Sequence, residues 1–140
     1  MLPVLVLAHA GILLVEVHAT ARQRLQADGR LPLVGDFAGA HGNVSFQNID
    51  VATGEVTFYA PVFTDVVYWI AKPVADYAGT LRQGLSAIED HSIAFSCNCI
   101  LNYAYGSLEG QKLGSLHGPI TFGEIGHQLL NQTVVALRID

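Results

Sequence analysis

Residues 95–99 read Phe95-Ser96-Cys97-Asn98-Cys99, an apolar run that stops abruptly in small polar side chains. Two later stretches share that character. One is Gly118-Pro119-Ile120-Thr121-Phe122-Gly123-Glu124-Ile125-Gly126. The other is Leu130-Asn131-Gln132-Thr133, leading into Val134-Val135-Ala136-Leu137. Each joins a β-prone segment to polar residues that strand propensity does not call for. Polar side chains spent at strand ends are where sites are commonly built. Cys97, Asn98, Glu124, Asn131 and Gln132 are therefore the candidate ligand-binding residues.

Outward from this stretch, the elements follow from periodicity. Ser92 to Cys97 reads as a short buried strand, and Asn98 to Leu108 is ambiguous, its Ile100, Leu101, Tyr103, Ala104 and Leu108 able to form a helix that starts where the strand ends. Pro119 to Ile125 and Thr133 to Ile139 read as the last two strands. Upstream, Val74, Tyr77, Ala78, Leu81, Leu85 and Ile88 recur at helical spacing, which predicts a helix over 74–89 with one core-facing stripe. Val66 to Ala71 is apolar on both faces, as a central strand is. Val44 to Ile49 and Glu55 to Ala60 flank an Ala52-Thr53-Gly54 turn and predict a β-hairpin. Residues 31–43 hold Pro32, Gly35, Gly39 and Gly42 and read as a connector with an exposed His41. Residues 4–28 read as one long helix stopped by Gly29, its early part having a buried strand as the alternative. The expected class is α+β, a mixed, mostly antiparallel sheet of about five or six strands with two or three helices.

At 140 residues a single domain with a real core is the default. Residues 1–30 stand apart as an apolar segment for dimerisation or docking, and 31–140 as the α+β domain. Hydrophobic residues make up 51% and charged residues 14%, so part of the surface is expected to be covered, by a second copy or a neighbouring domain. A net charge of -5 and only seven Lys plus Arg, with no basic patch, argue against nucleic acid. The apolar run 2–15 is too short for a membrane span and lacks the basic start of a signal peptide. Cys97 and Cys99 lie two apart, where extended Cα atoms are roughly 7 Å from each other, too far for an ordinary disulfide. Reduced thiols in a cytoplasm are the simpler reading.

Two kinds of chemistry are on offer. A carboxylate at Glu124, set among glycines at a strand end, can hold a ligand or act as a base. Asn131 and Gln132 donate and accept. The alternative is a small hydrolase, with Cys97 or Cys99 as nucleophile and His127 and Glu124 as base and orienter. One Cys-x-Cys without a second ligand pair is a weak metal signal, so no metal is expected. No P-loop or dinucleotide glycine motif occurs, so no cofactor is expected either.

Phe95-Ser96-Cys97, Phe122-Gly123-Glu124-Ile125-Gly126 and Leu130-Asn131-Gln132-Thr133 before a closing apolar strand resemble the C-terminal domain of FIST sensory proteins, over roughly residues 44–140. The resemblance implies a ligand-sensing domain of bacterial signal transduction, recognising small molecules such as amino acids. It marks Cys97, Glu124, Asn131 and Gln132. Two family features differ. The arginine that follows the cysteine is replaced by Asn98-Cys99-Ile100, and the histidine before Asn-Gln-Thr by Leu130.

Overall fold

The computed structural model describes residues 4–7, 12–14, 28–50, 52, 55–63, 66–86, 93–114, 116–125 and 128–139. The chain forms two compact units, one of residues 1–7 with 74–140, the other of residues 8–73. The class is α+β with mostly antiparallel sheets. The described strands fall into two four-stranded sheets and two short two-stranded ladders, accompanied by two helices.

In the unit of residues 8–73, β2 (Ile12–Leu14), β3 (Leu33–Phe37), β4 (Ala40–Val44) and β7 (Tyr68–Ala71) form one sheet in the order β2-β7-β3-β4. The expected central position of β7 holds, since it is paired on both sides. The expected hairpin is also present, as β5 (Phe46–Ile49) against β6 (Val56–Phe58). Leu33, Val44, Phe46, Ala60 and Tyr68 are the buried core of this unit.

Residues 31–43 are not a connector. They hold the β3–β4 hairpin, turned by Ala38 and Gly39, both at positive φ (58 and 92°). Positive φ at both central positions gives a tight turn the twist that antiparallel strands need. Gly35 and Gly42 do not break the ladder, because they pair with each other across it. The Tyr68 ring fills the space over Gly35, where a side chain would otherwise stand. His41 is exposed, as expected.

The long helix over 4–28 is also corrected where that segment is described. Val4–Leu7 is β1 and Ile12–Leu14 is β2. A short apolar run carries no periodicity that separates a buried strand from a buried helix, and here each run finds an edge to pair with. The case for a dimer built on an all-round apolar helix lapses with it. The division expected at residue 30 also differs from the observed one, because β1 joins the unit of 74–140.

In that unit, β1 pairs antiparallel with β12 (Val134–Arg138), and β12 with β8 (Ile93–Cys99). β9 (Ile120–Thr121) lies parallel to β8 on its other side. The strand expected over 119–125 is interrupted at Phe122-Gly123. Gly123 has φ 117°, and the chain restarts as β10 (Glu124–Ile125), paired with β11 (Gln128–Leu129). The predicted helix is α1 (Tyr77–Ser86), whose Leu81 and Leu85 are buried. Asp76 begins it, its Oδ1 accepting from the Gly79 backbone N–H at 2.8 Å. That cap satisfies one of the free N–H groups of the first turn. The helix α2 (Ile100–Tyr105) starts directly from the end of β8. Among the described residues no helix is long and apolar enough to cross a membrane.

Candidate functional site

The period of two along β8 separates what the sequence had grouped together. Successive side chains of a strand point to opposite faces. Cys97 and Cys99 share one face, packed with Val135 and Leu101. Ser96 and Asn98 share the other, beside Val134, the β12 partner of Asn98. Cys97 and Asn98 therefore do not serve one site.

The thiol face is packed. Cys99 is fully buried and Cys97 half-buried. The Cys97 thiol contacts Thr121 Oγ1 at 3.8 Å, and the same hydroxyl accepts from the Gly123 N–H at 3.3 Å. Next comes the Leu130–Thr133 turn. Leu130 N–H donates to Gly123 O at 2.7 Å, and Thr133 Oγ1 to Asn131 O at 2.8 Å. The Cys99 N–H closes the turn onto Thr133 O at 3.0 Å. Asn131, Gln132 and Thr133 are all buried, with Gln132 at positive φ (44°). A Cβ on Gly123 would stand 3.0 Å from Asn131 Nδ2. The Gly-Glu-Ile and Asn-Gln-Thr motifs do converge at the end of β8, but they converge as a packed turn. Glu124 is exposed on its short strand, and His127 lies outside the described residues. Among the described residues, the Cys97 thiol has a hydroxyl partner rather than a base. Ellman's reagent on the native chain is expected to modify Cys97 alone, with Cys99 reacting only in denaturant. Two thiols reacting at equal rates in the native state would contradict this packing. The outcome follows from access, since thiol chemistry needs a reachable sulfur.

The opposite face is open. A cleft of about 160 Å³ lies over β8, with Ser96, Asn98, Tyr103 and Gln111 as its polar lining and Leu113 and Leu116 among its walls. Ile120, paired with Asn98 in the parallel register, borders it. No described lining residue is charged. Of the residues singled out from sequence, Asn98 alone lines this cleft. Ser96, Tyr103 and Gln111 were missed. Strand parity was the signal for Ser96, while the loop carrying Gln111 has no periodicity to read.

Asn98 is held from behind. Asn102 Nδ2 donates to Asn98 Oδ1 at 2.8 Å, and the Tyr77 hydroxyl donates to Asn102 Oδ1 at 2.6 Å. Asn102 is 2% exposed, so α1, α2 and β8 are tied by one buried amide. Among the described residues no group of three or more His, Cys, Asp or Glu could hold a metal ion.

The sequence model of one family, DUF6976, described as a family of unknown function, matches residues 19–140. This chain belongs to the DUF6976 family. No curated protein and no solved structure matches it significantly. In this DUF6976 chain the matched region includes β8, the cleft and the Tyr77–Asn102–Asn98 hydrogen bonds.

Burial pushes the Tyr77 hydroxyl up to about 12, the hydrogen bond to Asn102 opposing it only in part. The unfolded group ionises near 10, so the folded state keeps its proton longer. The contribution to stability is fully present below pH 10 and is lost as pH rises from 10 through about 12. At about 1.4 kcal/mol per pH unit over two units, the loss is roughly 3 kcal/mol. Urea unfolding of the DUF6976 chain between pH 9 and pH 11.5 is expected to show this decline, and Tyr77→Phe to flatten it. An equally steep decline in Tyr77→Phe would assign the effect elsewhere.

Proposed function

We propose that this chain is a small-molecule-binding domain of a sensory or signalling protein, with the cleft over β8 as its ligand site. The observation that supports it is the lining itself, two amides and two hydroxyls over aliphatic walls. Small-molecule sites are mostly apolar concavities with a few placed polar groups. The resemblance of residues 44–140 to a sensory domain gives the signalling half of the reading. Both cysteines are free, which suits a cytoplasmic setting. A hydrolase built on Cys97, His127 and Glu124 has less support, since the thiol face is packed and Glu124 is exposed.

A thermal-shift screen of small metabolites on wild type and Ile120→Trp tests the proposal. Ile120 is half-exposed at the rim, so an indole there blocks the cleft from a position that is not part of the core. A ligand at a hundred times its Kd adds about 2.7 kcal/mol to stability, several degrees in Tm for a domain of this size. A compound is expected to raise the Tm of wild type and leave Ile120→Trp unmoved. A screen in which no compound shifts wild type, or every hit shifts both proteins equally, removes the cleft as the site.

A further inference from the structure

The hydrogen-bond balance of the cleft narrows what it can hold. The Asn98 carbonyl oxygen is engaged by Asn102 Nδ2 at 2.8 Å, and the Gln111 carbonyl oxygen by Arg82 Nη1 at 2.9 Å. Each amide therefore has a protein donor on its carbonyl oxygen and its NH2 group left for a ligand. An amide NH2 carries two donors and no acceptor. The Ser96 and Tyr103 hydroxyls turn to suit either partner. The polar lining is thus biased toward donation.

The same surroundings disfavour charge. No described lining residue is ionisable as an acid or a cation at neutral pH, and the walls are leucine, isoleucine, valine and proline. An ion brought from water into such a lining loses its hydration without gaining a counter-charge. Arg82, the cation nearest in the hydrogen-bond chain, is exposed and spends its guanidinium on Gln111. At about 160 Å³ the cleft also falls below the range of roughly 300–1,000 Å³ usual for drug-sized ligands.

We propose that the cleft takes a small uncharged compound bearing a carbonyl acceptor, such as a neutral amide, lactam or ester with a short aliphatic part. The ligand carbonyl accepts from Asn98 Nδ2 and Gln111 Nε2, and its hydrocarbon part lies on Leu113 and Leu116. This rests on the cleft being the binding site proposed above. It departs from an amino-acid ligand, whose carboxylate and ammonium would both be buried without partners.

Three probes of similar size test it by titration into 15N-labelled protein: 2-pyrrolidinone, butyrate and butylammonium. The side-chain NH2 signals of Asn98 and Gln111 are expected to move with 2-pyrrolidinone at a concentration at least fivefold lower than with either ion. Asn98→Asp exchanges the donor for an oxygen and is expected to weaken 2-pyrrolidinone about tenfold, the scale of one lost hydrogen bond in a partly desolvated site. Gln111 is exposed, so Gln111→Glu keeps the fold even where Asn98→Asp loses it, and it is expected to weaken the same probe about threefold. Tighter binding of butyrate or butylammonium at these signals overturns the neutral-acceptor assignment and leaves the cleft as a site. No movement with any probe overturns both readings.

Discussion

Gly118→Ala is expected to destabilise the unit of residues 1–7 and 74–140 by more than about 3 kcal/mol. Residues 117–121 run alongside β8. Ser96 N–H donates to His117 O at 3.2 Å and Asn98 N–H to Pro119 O at 3.1 Å. Gly118 lies between those two bonds, and its Cα faces the Ser96 peptide. A Cβ there would overlap the Ser96 carbonyl oxygen and stand 2.7 Å from the carbonyl carbon. Neither atom belongs to a flexible side chain, so the clash is relieved only by separating β9 from β8. A loss of that size corresponds to a Tm drop of more than about 10 °C for a unit this small. Circular dichroism melting reads it directly. A Tm within 2 °C or so of wild type would mean that the 117–121 segment does not lie against β8.

Asn102→Leu is expected to cost about 2–4 kcal/mol. The amide is buried, and it accepts from Tyr77 while donating to Asn98. Leucine has nearly the same volume, so packing is largely kept and the penalty is that of two polar groups left without their partner. The Tyr77 hydroxyl is itself desolvated, which makes its loss the costlier of the two. With the cleft as the proposed ligand site, the variant is also expected to bind ligand more weakly, because Asn98 is no longer oriented. A urea midpoint unchanged from wild type would show that the three side chains do not form a buried chain of bonds.

The parts of the fold that were legible are those where one periodicity dominates. Val56 and Phe58 alternate with polar neighbours, and the β5–β6 hairpin formed. Tyr77, Ala78, Leu81 and Leu85 recur at helical spacing, and α1 buries that stripe. Illegibility had specific causes. Gly35, Gly39 and Gly42 look like breakers in the sequence. Only the cross-strand pairing of Gly35 with Gly42, and a ring packed over one of them, makes a hairpin of them. The run Val4–Leu7 is a strand because β12 offers an edge far along the chain, which no local pattern encodes.

The site was half legible for a related reason. Polar residues at the end of β8 pointed to the strand that lines the cleft. Ending that strand at Cys97 rather than Cys99 hid the parity that places Ser96 and Asn98 opposite the thiols. Asn131 and Gln132 looked like ligand residues because side-chain amides just before an apolar strand can donate and accept. In the structure both are buried in the turn that delivers β12 to β8, a turn held by the Thr133 hydroxyl on Asn131 O and the Cys99 N–H on Thr133 O. Tyr103 and Gln111 reach the cleft through α2 and the long crossover to β9, contacts that depend on the completed fold.

The claim that matters most is which face of β8 receives a ligand. Intermolecular nuclear Overhauser effects, measured with methyl-labelled protein and the strongest compound from the screen, decide it. The account predicts cross-peaks from ligand protons to the methyl groups of Leu113, Leu116 and Val134, which belong to the cleft face. Cross-peaks to Leu101 and Val135, which pack with the thiols, would contradict it.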